Sequence, residues 1–266
     1  MNRKGMTLIE LLVALTISGV LVAGVYRTFV SQQHTFTVQD QVVDMQQNVR
    51  LGINRMTREL RMAGFGITDG TVLGGGGVNG FGNTVTPGAG GTSVTVVAAY
   101  QLKTTVSLND DLTSPAAGQK DINVKDASGF DTGTKKYISI NGLESHLIEQ
   151  IVGNKIRFPS NKLIYDHKEG EAVYLVQAIT YSIGPFEGKS CLLRDDNLGL
   201  NPPQPVAENI DSIKFRNPDG SIPLNPNSAC MQVAVTATTD RNDPDYKVDG
   251  GFRTRTLTSN IQLRNR

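Results

Sequence analysis

The chain of 266 residues has no tryptophan, two cysteines and three histidines, and its formal net charge is only +1. Near-neutrality argues against a nucleic-acid binder, which needs a concentrated basic patch. Arg50, Arg55, Arg58 and Arg61 do fall close together, but Glu59 interrupts them and the group reads as a solvated helix face. Cys191 and Cys230 are too few for a scaffold built on disulfides and lack the C-x-x-C spacing of a zinc site. His34, His146 and His167 stand apart, with no H-E-x-x-H or G-x-S-x-G pattern around them. Even Asp166-His167 is a poor acid-base pair, because neighbours on a strand point to opposite faces. Each histidine therefore reads as a solvated polar residue, and neither a catalytic constellation nor a cofactor is expected.

Two further patterns are excluded on spacing. Gly77-Val78-Asn79-Gly80-Phe81-Gly82 runs in the wrong order for a dinucleotide fingerprint, and no Lys-Ser or Lys-Thr follows it. Asp240, Asp243, Asp245 and Asp249 offer hard oxygen ligands suited to calcium but lack EF-hand spacing, so a solvated turn is expected and no metal site.

What the sequence does have is a long apolar run. Between Met6 and Tyr26 the one ionisable side chain is Glu10, with Arg3 and Lys4 just upstream. That is about the 20 residues a helix needs to cross a bilayer. A secretory signal peptide would accept Arg3 and Lys4 at its start and Ala23-Gly24 near a cleavage site, but it has no use for Glu10. A simple anchor has the same difficulty, since a carboxylate at bilayer depth costs roughly 2.5–3.5 kcal/mol and asks for a partner. A third reading is an anchor that becomes a building block, with Glu10 meeting a cation on a neighbouring subunit.

The stretch Arg3-Lys4-Gly5-Met6-Thr7-Leu8-Ile9-Glu10-Leu11-Leu12-Val13 resembles the class III leader of type IV pilins and type II secretion pseudopilins. The resemblance implies that a prepilin peptidase cuts after Gly5 and methylates the new terminus at Met6. It also implies that Glu10 pairs with a neighbouring subunit's terminal amine during assembly. Met6 stands where phenylalanine is commoner. Gln46–Arg50, Arg58–Phe65 and the closing segments Val206–Phe215 and Arg255–Asn265 are similar to PilW-type minor pilins, and the closing segments also to J-type pseudopilins. The likeness covers about residues 1–66 and 200–266, and the middle is unmatched. It implies a structural subunit rather than an enzyme. Its implied partners are prepilin peptidase, other minor pilins, the major pilin, the inner-membrane assembly platform and, before assembly, the lipid bilayer. The implied location is the bacterial inner membrane and then the pilus or cell surface. A pseudopilin and a membrane-anchored binding module exposed at a pilus tip are the competing readings.

The expected fold is α+β and pilin-like, a long N-terminal helix laid against an antiparallel sheet domain with a β-rich insertion. Residues 1–5 form the leader, 6–30 the membrane half of the helix and 31–66 its amphipathic half. Val38, Val42, Met45, Val49, Ile53, Met56 and Leu60 recur at steps of four and three, one apolar stripe on a helix. No proline interrupts Met6–Met62, although Gly19, Gly24 and Gly52 are weak points. The helix should stop at Ala63-Gly64-Phe65-Gly66. Residues 67–92 read as a glycine-rich loop, 93–266 as a β-rich globular domain, and 110–171 as an inserted β-subdomain. Gly153-Asn154 marks a hairpin turn, and Pro202, Pro203 and Pro205 break the strand pattern before Val206. By the positive-inside rule Arg3 and Lys4 keep the amino end cytoplasmic and the globular part periplasmic. That compartment permits a Cys191–Cys230 bridge, with two free thiols as the alternative.

Overall fold

A computed structural model describes residues 7–67, 77–159 and 162–265. The chain divides into two compact units, one comprising residues up to Met45 with Thr239–Arg253, the other Gln46–Thr238 with the segment from Thr254 onward. One helix, α1 (Leu8–Arg61), runs for 54 residues, about 80 Å at 1.5 Å per residue. It passes through Gly19, Gly24 and Gly52 without a break. Its end falls where the glycines predict. Gly64 and Gly66 both take positive φ (81° and 71°), and the Gly64 amide leaves the helix to donate to Val97 O at 2.9 Å.

In the larger unit the predicted stripe is what α1 buries. Met56 and Leu60 are fully buried, as are Val49 and Ile53 to within a few per cent; a side chain of this kind stabilises by about 2 kcal/mol when taken from water. The helix lies against a seven-stranded sheet built from β1 (Val85–Pro87), β2 (Val94–Thr105), β4 (Tyr137–Ile140), β5 (Glu144–Leu147), β8 (Ala172–Phe186), β9 (Lys189–Asp195) and β10 (Gln204–Glu208). β8 is the spine, pairing with β2 along one side and with β4 and then β9 along the other. At Gly52 the helix backbone comes close to the sheet, since a Cβ there would stand 3.1 Å from Leu192 and 3.4 Å from Ala207. Every described strand pairing is antiparallel. The plan is the expected α+β, pilin-like one.

Two smaller sheets complete the unit. β11 (Ile210–Arg216), β12 (Cys230–Thr238) and β13 (Thr254–Gln262) form a three-stranded meander. In β12 Met231, Val233, Val235 and Ala237 alternate inward, as a sheet with one buried face requires. β3 (Asp121–Asn123), β7 (Lys155–Arg157) and β6 (Gln150–Val152) form the other, with Gly153-Asn154 as the two-residue turn joining Val152 to Lys155. Residues 110–171 thus divide their strands. β3, β6 and β7 make a separate sheet, whereas β4 and β5 extend the main one, and Ile122, Ile138, Ile156 and Phe158 share a core with Val173 and Leu175 of β8.

Several local expectations give way. Val85–Pro87, assigned by composition to the loop, pairs with Val94–Val96 at the sheet edge, where a proline's missing N–H costs no ladder bond. β10 forms across Pro205 by the same means, with a register shift between Pro205 and Ala207. Cys191 and Cys230 are free thiols. They lie in different sheets, Cys191 buried in β9 beside Glu208 and Cys230 at the start of β12 opposite Gln262, so the bridge the sequence left open is not made.

Glu59 departs furthest from expectation. It is buried, not part of a solvated face. Its carboxylate accepts from Tyr181 Oη at 2.8 Å and from Arg194 Nε at 2.9 and 3.1 Å, with Arg55 Nη2 at 3.3 Å. Tyr100 Oη reaches the Glu59 carbonyl at 3.4 Å. Burial, and then the Glu59 charge, push the phenols of Tyr100 and Tyr181 upward, so both stay protonated donors. Removing one partner of a buried ion pair strands the other charge. Arg194→Met is therefore expected to destabilise the protein by about 3 kcal/mol, and Tyr181→Phe by about 1 kcal/mol, in equilibrium denaturation. Equal stability of wild type and Arg194→Met would show that Glu59 does not depend on this pair.

Candidate functional site

By length and composition α1 contains a segment able to cross a membrane, and that segment is unburied within the chain. Leu15, Val20 and Val25 keep about 70% of their surface exposed (69%, 74% and 70%). A helix apolar on all sides and uncovered by its own chain needs lipid or other helices around it. Both threonine hydroxyls in this stretch are satisfied locally. The hydroxyl of Thr16 donates back to Val13 O at 2.8 Å, and that of Thr28 to Gly24 O at 3.1 Å. Such bonds remove the cost of a free hydroxyl in an apolar medium.

Glu10 sits at the head of this segment in the first turn of α1. The Thr7 amide donates to Glu10 Oε2 at 2.9 Å, the Thr7 hydroxyl donates to the same oxygen at 3.0 Å, and the Glu10 amide donates to Thr7 Oγ1 at 3.3 Å. This is a reciprocal capping box, in which the N-cap threonine and the residue three positions on satisfy each other's orphan amides. The helix dipole adds to it, because a carboxylate in the first turn meets the positive end. Thr7 is the residue that sequence reasoning missed. The signal was present as T-x-x-E directly before an apolar run, but a membrane segment invites counting of charges rather than of caps. Gly5 and Met6 lie outside the described residues.

The first 26 residues match the family model of the prokaryotic N-terminal methylation motif. Neither a curated protein nor a solved structure matches the chain. The motif is that of type IV pilin-like and pseudopilin precursors, structural subunits that prepilin peptidase processes and that assemble with other pilins. With the long apolar helix behind it, the motif points to membrane anchoring.

The histidines do not sit in solvent as expected. His146 and His167 are buried around Glu144, another buried charge. His146 Nε2 donates to Glu144 Oε2 at 2.9 Å, His167 Nε2 donates to Glu144 Oε1, and His167 Nδ1 reaches Glu171 at 2.7 Å. The Ile164 amide adds a bond at 2.7 Å, and His146 stacks on Phe158 with centroids 4.3 Å apart. The side chains of Glu144, His146 and His167 have no exposed surface, so no substrate reaches them and the cluster is a core network, not an acid-base dyad. Glu144 and His146 are two apart on β5 and so share a face, which was the signal available in the sequence.

Burial opposes the Glu144 charge, but bonds from His146, His167 and the Ile164 amide outweigh it and hold the carboxyl down, from 4.5 to about 2. Burial likewise opposes charge on His167, and its two carboxylate partners overcome that and raise it above 6.5. Glu144 contributes stability that is present above pH 4.5 and lost as pH falls toward 2. His167 contributes stability that is complete below 6.5 and lost as pH rises through its raised value. A melting temperature that is highest between about pH 4.5 and 6.5 and declines on both sides is expected. His167→Asn should flatten the alkaline decline, and an unchanged alkaline limb would remove His167 as its source.

Proposed function

We propose that the chain is a minor pilin of a type IV pilus, a structural subunit that helps begin assembly. The observation that carries the reading is the methylation motif over residues 1–26, followed at once by an apolar helix that its own chain leaves uncovered. In this reading the precursor inserts with Arg3 and Lys4 on the cytoplasmic side and the β-rich part in the periplasm. Prepilin peptidase cuts after Gly5 and methylates Met6.

Glu10 then has two roles in succession. In the bilayer Thr7 and the helix end stabilise its carboxylate. In the filament the terminal amine of a neighbouring subunit adds a full opposite charge in a medium of low dielectric, where the attraction is far stronger than in water. An ion pair combined with a continuous apolar surface fixes the axial register between subunits. The contact is head to tail, so it repeats as a helix and does not close into a ring. The similarity of residues 46–65 and of the closing strands to PilW-type proteins supports the minor-pilin role, with other minor pilins, the major pilin and the assembly platform as partners. Type II secretion pseudopilins carry the same leader; a deletion that stops protein secretion and leaves pili intact would favour that assignment.

Mass spectrometry of the mature protein is expected to find an amino terminus at Met6 carrying one methyl group; a terminus at Met1, or near Val25, would overturn the proposal. Glu10→Val is expected to leave insertion intact and to cut incorporation into filaments at least tenfold, read by immunoblot of sheared pili against membranes. Wild-type piliation in that variant would refute the pairing role.

A further inference from the structure

The smaller unit brings one histidine to two aspartates that lie more than 200 positions further along the sequence. His34 on α1 lies beside Asp243 and Asp245, and one ligand atom from each falls within 4.8 Å of the others. His34 Nε2 stands 3.7 Å from Asp243 Oδ1, and His34 Nδ1 stands 3.7 Å from Asp245 Oδ2. These separations are too long for hydrogen bonds. The same chain shows what a histidine held by carboxylates looks like, since His167 meets Glu171 at 2.7 Å. The two distances run to different ring nitrogens, of which one ion takes only one; the 3.7 Å from His34 Nε2 to Asp243 Oδ1 is close to the spacing of two ligands on one ion, and Asp245 turns its exposed carboxylate to complete the set. Bonds of about 2.1 Å in a tetrahedral shell put neighbouring ligand atoms about 3.4 Å apart.

The arrangement behind Asp243 points the same way. Asp243 is almost fully buried, with 4% of its side chain exposed. Its Oδ2 is held by Arg253 Nε at 3.1 Å and Nη2 at 2.7 Å, and Arg253 is itself braced over the Tyr246 ring at 5.0 Å. Asp243 Oδ1 accepts from the Asp245 amide at 3.0 Å and still faces the His34 imidazole; a carboxylate oriented in this way by neighbouring donors has the outer-sphere support that metal ligands carry. Asp245, 86% exposed at its side chain, is free to turn its carboxylate onto the same ion.

We propose that His34, Asp243 and Asp245 bind a divalent transition ion of the zinc class. Imidazole nitrogen selects such ions over calcium and magnesium, which take oxygen ligands. Three protein ligands leave a position for water, and the exposure of Asp245 leaves the ion open to exchange with solvent. The ion would clip Asp243 and Asp245 to the helix at His34, replacing two ion-pair approaches of 3.7 Å with direct bonds to one centre. The inference stands apart from the pilin reading and survives or fails without it.

The test is calorimetric titration of the full-length protein in detergent micelles with zinc chloride, repeated with calcium chloride and followed by cobalt absorption. One zinc per chain is expected. His34→Ala and Asp245→Asn should each weaken binding at least tenfold, and the cobalt complex should show the intense visible bands of a four-coordinate site. Both substituted side chains are partly or largely exposed, so the metal-free variants should melt with the wild type. If His34→Ala melts early, Asp245→Asn decides alone. Absence of zinc binding, or binding that neither variant weakens, overturns the proposal. Calcium displacing zinc at equal concentration also overturns it, because the site would then be an oxygen site without the histidine.

Discussion

A buried carboxylate on a helix is expensive unless its partners come from whatever the helix packs against, and Glu59 has that arrangement. Tyr181 on β8 and Arg194 on β9 both terminate on it, while Tyr100 of β2 reaches its carbonyl. Apolar packing of Val49, Ile53, Met56 and Leu60 supplies most of the favourable free energy but tolerates sliding by a turn. The Glu59 bonds do not tolerate it. A shift of one turn would leave a charge buried without donors, a cost of several kcal/mol. Burial holds the helix on the sheet, and this one charge sets where along the sheet it lies.

The same logic recurs at the other end of α1 with different means. Glu10 has no sheet beside it, so its first partners come from its own helix, through Thr7 and the free amides of the opening turn. Hydroxyls at Thr16 and Thr28 turn back on carbonyls. Glu10, Thr16 and Thr28 are thereby satisfied without reaching beyond the helix, which leaves its outer surface largely apolar.

Patterns of periodicity were legible in the sequence. The stripe from Val38 to Leu60 and the stop at Gly64 depend on neighbours a few positions away, and so does the Gly153-Asn154 turn. What was hidden depends on distant partners. Glu59 looked like surface because Arg55, Arg58 and Arg61 surround it in the sequence, and nothing local announces Tyr181 122 positions on. His167 looked solvated because the carboxylate that accepts from its Nε2 lies 23 positions earlier, on β5. Prolines hid β1 and β10, since the rule that proline ends a strand lapses at an edge. The four aspartates near residue 245 were visible as ligands, but the imidazole beside two of them is more than 200 residues earlier in the chain.

Gly52 makes the long helix sensitive to a very small change. The backbone lies against Leu192 and Ala207 with no room for a methyl group without displacement. A methyl group added there would press on the tip of the Leu192 side chain, which would have to yield by a few tenths of an ångström. The bare backbone at this one position thus sets how near the helix and these two strands can stand.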